Sequence, residues 1–200
     1  MGTLFAVASS RDQQVLLEIF LKKIVAGLGG AGASPDARRA ASISNITTAL
    51  CISLQQMNLM RGMLDVPVWL ASAQSACIAG LIYGARSTQL CAAHALGLLV
   101  QLNSLEAFLK VTLIKLLKDA AALAQSFGWV LAPEAHVPAR LGCVLGVAEV
   151  AAAAGPTRVA PYLPDILECD FSLQTITFIS HILCGTGTLN IIWRIYHRTW

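Results

Sequence analysis

Formal charge is missing from long stretches of this chain, and that absence limits what it can fold into more than any other feature. No Asp, Glu, Lys or Arg lies between Arg39 and Arg61, and none within 66–85, 87–105 or 171–193. Each such segment lacks the groups that hold a surface in water, so it needs another apolar surface to cover it, either a helix or a bilayer. Only 12% of the 200 residues are charged and 56% are hydrophobic, with a mean hydropathy of +0.66. That is about half the charged share of an ordinary soluble domain. A disordered chain is excluded. The net charge of +3 is spread too thinly for a nucleic-acid footprint, so no nucleic-acid partner is expected, while anionic lipid remains a fitting one.

The apolar residues that punctuate these stretches recur at helical spacing. Over 11–28, Leu16, Leu17, Phe20, Leu21, Ile24 and Leu28 repeat on one face, with Arg11, Gln14, Glu18 and Lys22 on another. Gly27, Gly29 and Gly30 then stop the helix. A second helix starts at Ser34-Pro35-Asp36, a cap, a preorganised first turn and a favourable acid in sequence. From it Ile43, Ile46, Leu50, Leu54, Met57, Met60 and Leu64 form one continuous seam. The other side carries Thr47, Thr48, Gln55, Gln56 and Asn58. Such a seam demands a partner surface.

Asp65 caps a further helix whose 20 uncharged residues, 66–85, are bracketed by Trp69 and Tyr83 and are just long enough to cross a bilayer. A buried helix within a protein complex fits equally well. The stretch 90–124 reads as one long helix, apolar at its start and basic at its end through Lys110, Lys115 and Lys118, which suits lipid headgroups. Five of the seven prolines fall between 132 and 164 and mark a linker around a short Ala-rich helix at 139–153. The final uncharged segment, 171–193, is followed by Arg194, Tyr196, His197, Arg198 and Trp200, an interfacial anchor on the cytosolic side of a span.

The expected organisation is therefore an amphipathic helical region at 1–65, an apolar hairpin at 66–131, a Pro-rich linker at 132–164, and a transmembrane helix with a basic-aromatic tail at 165–200. The fold class is all-α, a membrane-associated helical bundle with amphipathic helices and one to three marginal transmembrane helices.

Catalytic chemistry is not legible. The six cysteines lie far apart, with no CxxC pair, and read as free thiols. The four histidines are scattered, and His181 with Cys184 offers too few ligands for a metal. Gly185-Thr186-Gly187 lacks the strand and third glycine of a dinucleotide fingerprint. No enzymatic activity, cofactor or metal is expected. Neither a secretory leader nor a myristoylation signal is expected either, since Ala6 stands where Ser or Thr is wanted. Glycine pairs four apart, Gly80 with Gly84 and Gly142 with Gly146, and the close pair Gly185 and Gly187, allow helix backbones to approach.

The order of parts resembles the peroxin-11 family of peroxisomal membrane proteins, above all its glycosomal members. The resemblance rests on Ser10-Arg11-Asp12 in the first helix, the loop Gly32-Ala33-Ser34-Pro35-Asp36, and a long helix ending Asn58-Leu59-Met60-Arg61-Gly62-Met63-Leu64-Asp65-Val66-Pro67. It covers mainly 4–70 and, more loosely, 165–196. The chain departs from the family in its second helix, usually basic, which here keeps only Arg61 near the seam. The resemblance implies a peroxisomal or glycosomal membrane protein with both termini cytosolic. It would promote organelle elongation, proliferation and fission together with its own copies, family paralogues and the division machinery.

On this reading Leu16, Phe20, Ile24, Ile46, Leu50, Leu54 and Met57 form the membrane or partner face. Arg11, Lys22 and Arg61 meet headgroups, and Gly80, Gly84, Gly185 and Gly187 are packing points. Core packing in a helical bundle is the competing role for each apolar position. The competing function is a non-catalytic accessory subunit of a mitochondrial inner-membrane complex, and a small-molecule channel is a third.

Overall fold

A computed structural model describes residues 8–28, 37–59, 69–83, 85–103, 106–125 and 136–168, and among them there is helix and no strand. The elements are α1 (Ser10–Leu28), α2 (Ala37–Leu59), α3 (Leu70–Tyr83), α4 (Arg86–Leu102), α5 (Glu106–Gln125), α6 (His136–Ala154), α7 (Pro156–Val159), a 3₁₀ turn (Ala160–Tyr162) and α8 (Leu163–Glu168). The chain is all-α, as its periodicity predicts.

Local chemistry sets the boundaries. Ser9 precedes α1, its Oγ accepting the Asp12 amide at 3.2 Å and donating to the Asp12 carboxylate at 2.7 Å, so cap and third helical residue hold each other. The expected single helix over 90–124 is instead two, α4 and α5, because Asn103 leaves helical geometry at φ −112°, ψ 101°. Asn readily trades helix for side-chain-supported turns, and this one is buried while its amide still closes on the Leu99 carbonyl at 3.0 Å. α6 ends at Gly155, whose φ of +81° suits glycine, and Pro156 opens the next helix at a position where its missing N–H costs nothing.

α4 and α6 form the centre. α4 packs on α2, α3 and α6; α6 also packs on α3 and α5; α1 covers α2 and α3. The segment expected as a linker, 132–164, thus supplies a central helix, with Cys143, Val144, Leu145, Val147, Ala148 and Val150 all buried. Proline density misleads here because Pro138 lies in the first turn of α6 and Pro156, Pro161 and Pro164 in the short turns after Gly155, where they do not interrupt α6.

The expected span at 66–85 also needs correction. Its helix, α3, has 14 residues, about 21 Å of rise, against a hydrocarbon thickness of about 30 Å. Its freedom from charge reflects burial inside the bundle, where Ala73, Ala76, Cys77, Ile78 and Leu81 meet neighbouring helices. Among the described residues no helix is long and apolar enough to cross a membrane. The span expected at 171–193 lies outside the described residues.

Candidate functional site

α1 presents two faces. Gln13, Leu17, Leu21 and Ile24 point into the bundle and are at most 6% exposed. Opposite them Val15, Leu16 and Ile19 stand 51%, 39% and 44% exposed. The basic Arg11, Lys22 and Lys23 are exposed around them. At about 100° per residue Val15, Ile19, Lys22 and Ala26 fall within roughly 60° of one another, with Arg11 just beyond. Both acids of this helix have local partners: Asp12 holds Ser9, and Glu18 accepts the Gln14 amide at 3.1 Å. An apolar strip with cations on its flanks therefore faces outward.

The expected membrane or partner face divides between this strip and the core. Leu16 is exposed at the edge of the outward face and Arg11 and Lys22 are exposed on its other flank, whereas Phe20 and Ile46 are half-buried. Ile24, Leu50, Leu54 and Met57 are at most 2% exposed and belong to the protein's own core. The surface that the α2 seam demands is thus supplied within the chain, by α1 and α4. Val15, Ile19 and Lys23 were not singled out in the sequence; the signal for them is the helical projection of α1, in which they lie opposite Leu17 and Leu21. Arg61, Gly84, Gly185 and Gly187 fall outside the described residues.

Glycines set the closest approaches. A Cβ on Gly80 would come within 3.1 Å of the Ala92 Cβ, so α3 and α4 meet there. Gly142 is tighter, since a Cβ would overlap the Leu81 carbonyl oxygen and lie 3.0 Å from Gln89 Nε2. That same Nε2 donates to Leu81 O at 2.9 Å and Pro138 O at 2.8 Å. One buried amide of α4 therefore ties together α3 and α6, satisfying backbone groups that would otherwise lose hydrogen bonds on burial. Gln74 plays a similar part from α3, donating to Thr112 of α5, which in turn donates to the Phe108 carbonyl at 2.7 Å.

A polar seam joins α2 and α4. Ser44 donates to Ser87 at 3.0 Å, Thr48 Oγ1 lies 3.3 Å from Cys91 Sγ, and Asn58 donates to Gln101 at 2.6 Å. Near it, His94 Nδ1 lies 3.4 Å from a Glu149 carboxylate oxygen. Burial, with smaller contributions from nearby Cys91 and Glu149, pushes the Cys51 thiol up to about 11. Cys143 is pushed up to about 12, chiefly by burial and then by Asp119. These thiols stay protonated at neutral pH. Among the described residues no group of three or more His, Cys, Asp or Glu is placed to hold a metal ion.

Comparison with family models, with curated proteins and with solved structures finds no match to this chain.

Proposed function

We propose that this chain is a membrane-associated helical protein of the peroxin-11 kind, acting without enzymatic activity at the peroxisomal or glycosomal membrane to promote organelle elongation and fission. The motifs at 4–70 and 165–196 support the family. The outward face of α1 carries the reading, because it gives the bundle an apolar strip with cations beside it, the composition that lies in the headgroup region of an anionic bilayer.

Magnitudes decide how this contact works. Fully burying Val, Leu or Ile is worth about 1.5–3 kcal/mol, so three half-exposed side chains supply roughly 3 kcal/mol. Arg11, Lys22 and Lys23 add about 1 kcal/mol each beside an anionic surface. That sum gives a reversible contact, so the segment 171–193 serves as the anchor and several copies act together. Shallow insertion of α1 expands one leaflet and favours curvature, while α2, with Leu50, Leu54 and Met57 held in the core, acts as scaffold. The lysines of α5, Lys110, Lys115 and Lys118, are exposed and add headgroup contacts. The termini face the cytosol, where division machinery and paralogues are within reach.

The test is localisation of the tagged full chain, combined with depletion. Co-fractionation with peroxisomal or glycosomal membranes, with fewer and larger organelles on depletion, supports the reading. Co-purification with a respiratory complex and an unchanged organelle number overturns it.

A further inference from the structure

α2, α4 and α6 bring their N-termini to one end of the bundle. The contacts Ser44–Ser87, Thr48–Cys91 and Asn58–Gln101 keep α2 parallel to α4. α6 runs the same way, since Gln89 bonds the Pro138 carbonyl while a Cβ on Gly97, further along α4, would lie 3.1 Å from the Glu149 carbonyl oxygen. The positive ends of these helix dipoles therefore gather together. Helix starts ordinarily favour carboxylates, yet none of these helices has an acid in its first turn. Basic residues stand there instead: Arg38 in α2, Arg86 at the start of α4 and, one turn in, Arg140 in α6.

The start of α4 is uncapped. Ala85 precedes it in extended geometry and supplies no side-chain bond, so the amides of Arg86, Ser87 and Thr88 have no acceptor within the helix. Ser44 donates to the Ser87 hydroxyl at 3.0 Å, which leaves the Ser87 proton to give. Thr88 is the decisive residue. Thr47, Thr48, Ser53 and Thr112 each donate to the carbonyl four residues back. The Thr88 hydroxyl, on a residue only 1% exposed, has no partner among the described residues. Its methyl is the branch turned to Gly80, which packs against both Thr88 and Ala92 and so lies down the helix. The hydroxyl is the other branch, turned to the helix start.

We propose that the start of α4 binds a phosphate monoester. Its oxygens accept from the amides of Arg86, Ser87 and Thr88 and from the Ser87 and Thr88 hydroxyls, and the exposed Arg86 side chain supplies opposite charge beside them. A phosphate monoester has three free oxygens and close to two charges at neutral pH, which matches several donors with no acid in the first turn. The two oxygens of a carboxylate would leave part of this set unused. The same chemistry occurs on a lipid headgroup, phosphatidic acid, and on a free phosphate. The site is built by the bundle alone and does not depend on the membrane face of α1.

The experiment titrates the purified full chain with inorganic phosphate at constant ionic strength, read by calorimetry and thermal unfolding. Saturable heat with a rise in Tm is expected. Thr88→Val and Arg86→Gln should each weaken binding about tenfold or more, because each removes a bond or charge that meets an anion. Lys110→Gln should leave it unchanged, since Lys110 is one turn from the Glu106 that bonds Tyr162 beyond the other end of α6. Vesicles give the source. Preference for phosphatidic acid over phosphatidylglycerol at matched charge, lost in Thr88→Val, supports a headgroup ligand; equal binding to both lipids, with phosphate binding retained, supports a free phosphate. Absence of both saturable phosphate binding and phosphatidic acid preference would overturn the proposal, as would undiminished affinity in folded Thr88→Val. If Thr88→Val fails to fold, Arg86→Gln at an exposed position decides in its place, and full affinity there overturns the proposal.

Discussion

Replacing Gly142 with alanine probes the point where α3, α4 and α6 meet. The added methyl would overlap the Leu81 carbonyl oxygen, lie 2.8 Å from its carbonyl carbon and 3.0 Å from Gln89 Nε2. Backbone atoms cannot swing aside, so α3 and α6 must separate by on the order of 1 Å. Overpacking of this kind costs about 1–3 kcal/mol. Stretching the Gln89 bonds to Leu81 and Pro138 in a buried site adds about 1–3 kcal/mol, and the better helix propensity of alanine returns about 1 kcal/mol. The net loss is about 1–5 kcal/mol, read from the chemical unfolding of the full chain by circular dichroism. Gly155→Ala is the control, since no atom of the described residues lies within 4 Å there and only the φ of +81° resists the substitution; it should cost about 1 kcal/mol. A Gly142→Ala protein as stable as the wild type would refute the close approach.

Further outcomes follow from the same packing. Leu54→Ala should cost about 2–5 kcal/mol, whereas Ile52→Ala, on the opposite side of α2 at 45% exposure, should change stability by under about 1 kcal/mol; equal losses would contradict the inward seam. Thr88→Val should stabilise by about 1 kcal/mol, because the Thr88 hydroxyl is buried with no partner among the described residues; a clear loss would mean that the hydroxyl is bonded. Raised thiol values for Cys51 and Cys143 mean that the folded state holds protons the unfolded chain releases near pH 9. Stability should therefore be intact below about pH 9 and fall as pH rises through about 11 to 12, and Cys143→Ala should flatten that fall in a thermal-melt series. Tyr162 donates to Glu106 at 2.9 Å, which raises its pKa; Glu106→Gln should bring phenolate formation, read by ultraviolet absorbance, to lower pH, and an unmoved titration would rule out that bond.

How much of this was legible can be traced residue by residue. The α1 and α2 seams read as helices because Leu17, Leu21 and Ile24, like Leu50, Leu54 and Met57, repeat at spacings that only a helix brings to one side. What covers a seam is not written in its period. A bilayer and a neighbouring helix ask for the same side chains, and α3 shows the consequence: its uncharged run matches a span, yet the helix is short and lies inside the bundle. Gly142 and Gly146 were visible as a spaced pair, whereas their partner Leu81 required the tertiary fold. The Thr48–Cys91 and His94–Glu149 contacts were invisible for the same reason, since their members are separated by 43 and 55 residues. Asn103 illustrates the reverse case, a breaker hidden in an otherwise continuous helical pattern.

Two roles follow for the amphipathic helices. α2 spends its apolar face on the core, and α1 keeps part of its own outside. If α1 has the proposed membrane role, contact falls on Val15, Leu16 and Ile19 and not on the exposed polar side of α2, where Gln55 lies. An environment-sensitive fluorescent amino acid at Ile19 or at Gln55, in the full chain reconstituted into vesicles of mixed neutral and anionic lipid, measures this directly. Brominated acyl chains should quench the probe at position 19, with its emission shifted to the blue, while the probe at position 55 stays sensitive to iodide in the water. A position-19 probe that iodide quenches as readily as one at position 55 would contradict the claim that α1 lies in the membrane surface.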